Sequence, residues 1–347
     1  MIKILIAFLI SCGALAAPLD LKKLDIQSGL HFDYVDGEDI RSRIFGYRFR
    51  VDAEKALSDD VILFFSSSAI LETGSNEVVA DLTEFAPLET VVLNQGGVSY
   101  TPIELLNFKA GALSPREYNS PLLLTSSPVI GIQQTVDFDY IYFKALQAIP
   151  NNNRLARRVG TLDNGTPSFF METLGFKYKE NLSLEVSHFF YKDLAPNIAL
   201  KSRQIGNSVT GTGEQAKFNY GFSGYNVALR SKVRLGSYDY GLYGQYILND
   251  EAPTDRNLGY LAGALFGGEK YLLEVETFRN ETDSAPGFYN SKYYGHNNIS
   301  GQAIGLRAVS SELNYQIKYY DFKPLETNSI QFDTQILTFN LILKYEL

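Results

Sequence analysis

Apolar residues recur at every second position along much of this chain. At its C-terminal end Leu337, Phe339, Leu341, Leu343, Tyr345 and Leu347 alternate with Thr338, Asn340, Ile342, Lys344 and Glu346, which are polar apart from Ile342. Period two marks a β-strand with one apolar and one polar face. The same alternation sets Leu24, Ile26, Leu30, Phe32 and Tyr34 against Asp25, Gln27, Gly29, His31 and Asp33. It sets Phe45, Tyr47, Phe49 and Val51 against Gly46, Arg48 and Arg50, and Ile130, Ile132, Val136 and Phe138 against Gly131, Gln133, Thr135 and Asp137. Val227, Leu229, Val233 and Leu235 alternate with Arg230, Lys232 and Arg234, and Leu313, Tyr315, Ile317 and Tyr319 with Asn314, Gln316 and Lys318. The segments VILFFSSSAIL and YIYFKALQAI are apolar at both parities, so periodicity does not orient them.

Connection lengths set the architecture. Short turns near 310–312, 267–270, 236–239 and 179–181 alternate with long polar links near 324–328, 281–298, 249–256 and 194–223. A soluble sandwich has no reason to keep its long loops at one end, whereas an antiparallel outer-membrane barrel does. The alternation gives sixteen candidate strands, starting near 24, 40, 60, 90, 104, 128, 140, 168, 182, 224, 239, 258, 271, 299, 313 and 330. The pattern is weaker before residue 128, and a total of fourteen strands is also permitted. In a closed barrel the last strand must pair with the first, which accounts for an apolar strand running to the chain's final residue.

Composition narrows the class. Residues 1–16 carry Lys3, an apolar run and Ala14-Leu15-Ala16, the layout of a secretory signal cleaved after Ala16. An alternative is a lipoprotein-type box at Leu9-Ile10-Ser11-Cys12, which would leave Cys12 lipidated. Cys12 is the only cysteine, so no internal disulfide is expected. Residues 17–347 then form a single barrel domain of 347 − 16 = 331 residues, exported through a cleaved signal peptide. Hydrophobic residues make up 45%, yet no run after the signal is long enough for a membrane-spanning helix. A net charge of −8 with 20% charged residues argues against a nucleic-acid partner.

The final strand, with Phe339, Leu341, Leu343, Tyr345 and the terminus, resembles the recognition signal of bacterial outer-membrane porins, although that family usually ends in Phe rather than Leu. The stretch LLNFKAGALSPREYNSPLLLTSSPVIGIQQTV is similar to the porin segment in which a rising strand leads into the third outer loop. The resemblance implies a sixteen-stranded all-β transmembrane barrel of a Gram-negative outer membrane. It also implies an inward-folded loop near 114–128, transport of small hydrophilic solutes or ions, and no cofactor. Outer-membrane lipid, lipopolysaccharide, the barrel-assembly machinery and a homotrimer are the implied partners. Leu122, Leu123 and Leu124 agree with an inward loop, because an exposed apolar triplet is unfavourable. A loop lying on the rim or capping a neighbouring subunit would bury them equally well.

Parity places Arg48, Arg50, Arg230, Lys232 and Arg234 toward the lumen, where they form either a basic wall or partners for nearby carboxylates. Lys109 at the strand end and Arg116 and Glu117 in the loop complete the pore-lining and constriction candidates. Catalysis finds little support. His31, His188 and His296 share no motif, and Ser187 and His188 point to opposite faces of a strand. Asn249, Asp250, Glu251 and Asp255 are oxygen ligands without a calcium-loop spacing, and TGTGEQAK lacks the Gly-Lys-Ser/Thr ending of a phosphate loop. Tyr238, Tyr240, Tyr243, Tyr246, Tyr293 and Tyr294 are expected at interface girdles and the rim. A closed barrel whose outer loops act as an adhesin or structural surface is the alternative function.

Overall fold

The computed structural model describes residues 21–38, 40–78, 85–114, 118, 120–125, 128–150, 165–179, 181–310, 313–328 and 330–346. The expected signal segment and the candidates Arg116 and Glu117 lie outside the described residues. The strands are β1 (Lys23–Gly37), β2 (Ile40–Ala56), β3 (Val61–Val78), β4 (Glu89–Ile103), β5 (Leu106–Leu113), β6 (Val129–Phe138), β7 (Ile141–Ile149) and β8 (Ser168–Tyr178). They continue with β9 (Leu182–Lys192), β10 (Phe222–Leu235), β11 (Tyr238–Asn249), β12 (Leu258–Gly268), β13 (Tyr271–Asn280), β14 (Ile299–Val309), β15 (Leu313–Pro324) and β16 (Thr334–Glu346). Each pairs antiparallel with its sequence neighbours, and β1 closes on β16 from Asp25↔Glu346 to Gly37↔Thr334. The count is sixteen, not fourteen. The last strand begins four residues later than its pattern suggests (334 − 330), because Asn328 accepts hydrogen bonds from the amides of Ile330 and Gln331 and holds a turn there.

The barrel is inverted relative to a soluble protein. Val91, Leu242, Ile130 and Leu174 point outward and are 59–75% exposed, while Glu274, Glu276 and Lys318 point inward and are 5–7% exposed. No helix among the described residues is long and apolar enough to cross a membrane. The backbone groups are satisfied by closure instead, the arrangement that a β-structure needs in lipid. Aromatic pairs such as Tyr140–Tyr178 at the short-turn end and Phe170–Phe190 toward the other end mark the edges of the apolar band.

The hairpin turns at one end are short, while most connections at the other are long. The link between β1 and β2 departs from this alternation and occupies only residues 38–39. The buried cluster lies inside the barrel, toward the long-loop end, and combines Leu122–Leu124, Phe169, Phe189, Tyr191, Ile198, Phe278 and Tyr289. Helix α1 (Pro196–Gln204) belongs to the connection between β9 and β10. Proline in its first turn suits a position whose amide needs no partner. Its Ile198, Ala199 and Ser202 are buried.

Candidate functional site

Two connections enter the lumen and meet. In the first, residues 114–128, Leu122, Leu123 and Leu124 are at most 1% exposed. The Leu122 amide donates to Gln245 Oε1 of β11 at 2.9 Å, and Asn226 Nδ2 of β10 donates to Ser120 Oγ at 3.0 Å. Tyr191 of β9 donates its hydroxyl to the Leu123 carbonyl at 3.2 Å. These strands lie three to five positions along the wall from β6, and the loop that β5 and β6 carry reaches them through the lumen. The leucine triplet is therefore held inside, as the sequence predicts.

The second connection, residues 281–298, was expected to be a polar outer link and is instead an interior element. Asparagine side chains do the work of a ladder. Asn297 Nδ2 donates to the carbonyls of Ala285 (2.6 Å) and Thr282 (3.0 Å), Asn280 Nδ2 donates to His296 O (2.8 Å), and Asn207 Oδ1 accepts from the Gly287 amide (2.7 Å). A buried polar chain is stable only when its groups are paired in this way. The two loops are joined by Thr125 N to Tyr289 O (2.7 Å) and Ser291 N to Pro121 O (3.1 Å). The ring of Tyr289 stacks on Tyr191, centroids 5.6 Å apart. Burial raises the Asp283 carboxyl above the ordinary carboxylate range, although Ser208 donates its amide (3.0 Å) and hydroxyl (2.5 Å) to it.

This placement corrects the reading of three tyrosines as girdle or rim. Tyr294 donates its hydroxyl to Glu276 Oε1 (3.1 Å), and Tyr293 to Asp33 Oδ2 (3.3 Å), which Lys292 Nζ also approaches at 3.8 Å. Tyr243 turns inward too, with its hydroxyl 2.6 Å from Glu274 Oε1 and 2.5 Å from Glu276 Oε1. Burial pushes the phenols of Tyr293 and Tyr294 upward, so both remain protonated donors. Tyr238, Tyr240 and Tyr246 do face outward, at 50%, 42% and 45% exposure. Glycines make room for this chemistry. A Cβ at Gly46 would come 2.1 Å from the His31 ring, and one at Gly263 would come 2.3 Å from Tyr243.

On the short-turn side of Pro121 and Tyr294 lies a cavity of about 260 Å³. Its charged lining is Glu185, Glu274 and Glu276 against Arg230, Arg307 and Lys318. The carboxylates are already engaged. Lys318 Nζ lies 3.2 Å from Glu274 and 2.7 Å from Glu276, while Glu185 accepts from the Tyr142 hydroxyl and has Lys144 Nζ at 3.8 Å. Arg230 and Arg307 have no hydrogen bond or salt bridge among the described residues. The formal charges of the lining balance, three against three, and the two arginines are its cations without a salt bridge among the described residues.

The remaining candidates separate along the lumen. Lys232 and Arg234 sit near the short-turn mouth and share the one carboxylate of Asp239 on the adjacent strand, at 3.1 Å and 2.7 Å, so their charge is offset only in part. Arg50 is bound by Asp52 at 2.7 Å. Arg48 faces the lumen close enough to Tyr293 to act on its phenol. Lys109, paired in register with Ser99 and Gln133, shares their inward face. Ser187 hydrogen-bonds Thr173 inside the barrel while His188 packs against Tyr225 outside, which separates that pair. Sequence parity missed Tyr293, Tyr294 and Lys292 because loops have no period. The usable signal was Phe288, Tyr289, Tyr293 and Tyr294 crowded into one connection, which an exposed loop has no reason to carry.

No protein-family model matches the chain, and no curated protein sequence does. Among solved structures it is similar to OprB of Pseudomonas putida, with 11% identity over 94% of each chain and a TM-score of 0.63. It is also similar to OmpT of Vibrio cholerae with loop L8 deleted, an outer membrane protein (10% identity, 93% of this chain and 99% of that one, TM-score 0.55). A third is OccK5 of Pseudomonas aeruginosa (9% identity, 94% and 98%, TM-score 0.53). At such identities the likeness is one of fold: the closed sixteen-stranded barrel of outer-membrane porins, as the resemblance in the sequence implies.

Proposed function

We propose that this chain is an outer-membrane porin that passes small hydrophilic solutes or ions by passive diffusion, its lumen narrowed by the 114–128 and 281–298 loops. The observation that carries this reading is the inversion of the barrel: an apolar exterior surrounds a charged, hydrogen-bonded interior with a cavity behind the constriction. In this reading the long loops face outward, both chain ends face the periplasm, and the last strand is the element read by the assembly machinery. Lipid and lipopolysaccharide contact the wall, and no cofactor or catalytic step is involved. Arg230 and Arg307, the cavity cations without a salt bridge among the described residues, give a preference for anions. Planar-bilayer recording of the purified protein tests the proposal: discrete conductance steps with an anion-directed reversal potential are expected.

The second reading is a closed barrel acting as a surface or adhesive protein. It is favoured by how completely the loops occupy the long-loop half of the lumen, with Leu122, Leu123, Leu124 and Tyr289 at most 1% exposed. Liposome swelling separates the two. A porin admits neutral sugars into proteoliposomes, whereas a closed barrel leaves swelling at the level of empty vesicles.

A further inference from the structure

A second cavity, of about 60 Å³, lies inside the long-loop end of the barrel, among Ile299 at the start of β14, Phe322 near the end of β15, Phe85, Ile205 and Phe332. Lys292 and Gly295 form one side of it, while the intervening Tyr294 lines the charged cavity toward the short turns. The single 3-10 turn Lys292–Tyr294 therefore stands between the two. Strand β14 runs from one cavity to the other, from Ile299 to Arg307. Its inward positions between them are Gly301, Ala303 and Gly305, so no large side chain rises from the strand. The flanking strands frame this track in register, with Phe278, Glu276 and Glu274 on β13 and Phe322, Tyr320 and Lys318 on β15. Aromatic rings fill it. Tyr293 stacks on Tyr320 with centroids 5.7 Å apart, and Tyr294 meets Tyr320 and Phe278 edge-on at 6.0 Å and 5.0 Å.

We propose that this turn is a door across a solute route along β14, closed in this structure and latched by side chains; the proposal rests on the channel reading given above. The main-chain hydrogen bonds of the turn stay within it: Tyr294 and His296 donate to Ser291 O (3.2 Å and 3.4 Å), and Gly295 donates to Lys292 O (3.1 Å). Side chains tie it to its surroundings. Tyr294 donates to Glu276 at 3.1 Å, Tyr293 and Lys292 reach Asp33 at 3.3 Å and 3.8 Å, and Lys292 Nζ lies 4.9 Å from the centre of the Phe85 ring. The chain on either side is anchored. The Ser291 amide donates to Pro121 O at 3.1 Å, and Asn297 Nδ2 to the carbonyls of Thr282 and Ala285. A turn held in this way swings as a unit when its side-chain bonds part, with no ladder to break. The pivot is on the page as well: Gly295, His296 and Asn298 adopt left-handed backbone, with φ of 67°, 63° and 58°. Such strain gathers in segments that switch between arrangements. Opening strands no carboxylate, because Glu276 keeps Tyr243 and Lys318 (2.7 Å) when Tyr294 leaves.

The test is single-channel recording of the full-length protein, with heat-dependent gel mobility confirming the barrel of each variant. Tyr294→Phe keeps the ring and removes the latch. The ratio of open to closed dwell times should rise roughly tenfold, the factor for losing one hydrogen bond to a charged group. Ala303→Cys puts a thiol in the track of a chain whose only native cysteine is Cys12. A small anionic methanethiosulfonate added from the long-loop side should lower the conductance of Ala303→Cys and leave the wild type unchanged. Adding Tyr294→Phe should speed that reaction roughly tenfold. Gly305→Cys, two positions along the same face, takes its place if Ala303→Cys fails to assemble. Unchanged dwell times in Tyr294→Phe overturn the door alone. So does a thiol that stays unmodified in a conducting channel, or that mass spectrometry shows modified without loss of conductance. An inserted, heat-shifted wild type that gives no steps overturns the channel reading and the door with it.

Discussion

Arg230 and Arg307 face a cavity whose carboxylates are already held by Lys318, Tyr243, Tyr142 and Lys144. Residue by residue, that leaves the arginines to meet whatever enters. Replacing both with Gln should move the reversal potential toward cations, most strongly at low salt, where the Debye length grows to about 30 Å. An unchanged reversal potential would assign them a packing role. Lys232 and Arg234 looked equivalent to Arg230 in the sequence, since all three share one parity; only the turn that brings Asp239 beside them sets them apart. Asp283 supplies a pH signature. Its carboxyl is raised by burial, so the folded loop favours the protonated form. The sign follows: its contribution is present below the ordinary aspartate range and lost as pH rises through the raised value. Asp283→Asn removes the titration. The thermal midpoint of the variant minus that of the wild type should therefore grow as pH is raised from about 4 to about 8. A constant difference would mean that Asp283 does not titrate in that window.

At the scale of elements, strands were legible because lipid imposes one rule on every outward position. Val227, Leu229, Val233 and Leu235 declare a face without knowing their neighbours. The two segments without parity have a physical cause. Leu146 of β7 and Phe64 of β3 point inward and join the buried cluster that also contains the inward leucines, so both faces of those strands must be apolar. Leu174→Arg, on the outer face of β8, should cost roughly 2–4 kcal/mol of barrel stability, while Ser183→Arg on the lumen side of β9 should assemble normally. A larger loss in Ser183→Arg would mean that the faces are reversed, and equal stability would contradict the assignment of faces. Loops obey no comparable rule. The 114–128 segment betrayed itself by a leucine triplet, but the 281–298 segment hides its aromatic residues among asparagines whose side-chain bonds form only on folding. Deleting Pro121–Thr125 should raise single-channel conductance by removing one arm of the constriction. Unchanged conductance in a heat-shifted variant would place the narrowing entirely in the 281–298 loop.

For the whole molecule, closure explains both the pairing of β16 with β1 and the polar interior. Every barrel strand has two paired neighbours, from β1 against β16 onward, so the wall presents no edge to lipid and the only route through it is the lumen. The sixteen-strand count follows from alternation and connection length, both visible in the sequence. The degree to which loops fill the lumen is not visible there, because it depends on contacts between residues as far apart as Leu122 and Gln245. Whether the filled half still conducts is therefore the central question, and single-channel recording in a planar bilayer addresses it most directly. Heat-shifted wild-type protein should give discrete, reproducible steps whose reversal potential in a salt gradient is anion-directed. The same heat-shifted protein, inserted and leaving the bilayer without steps, would contradict the channel.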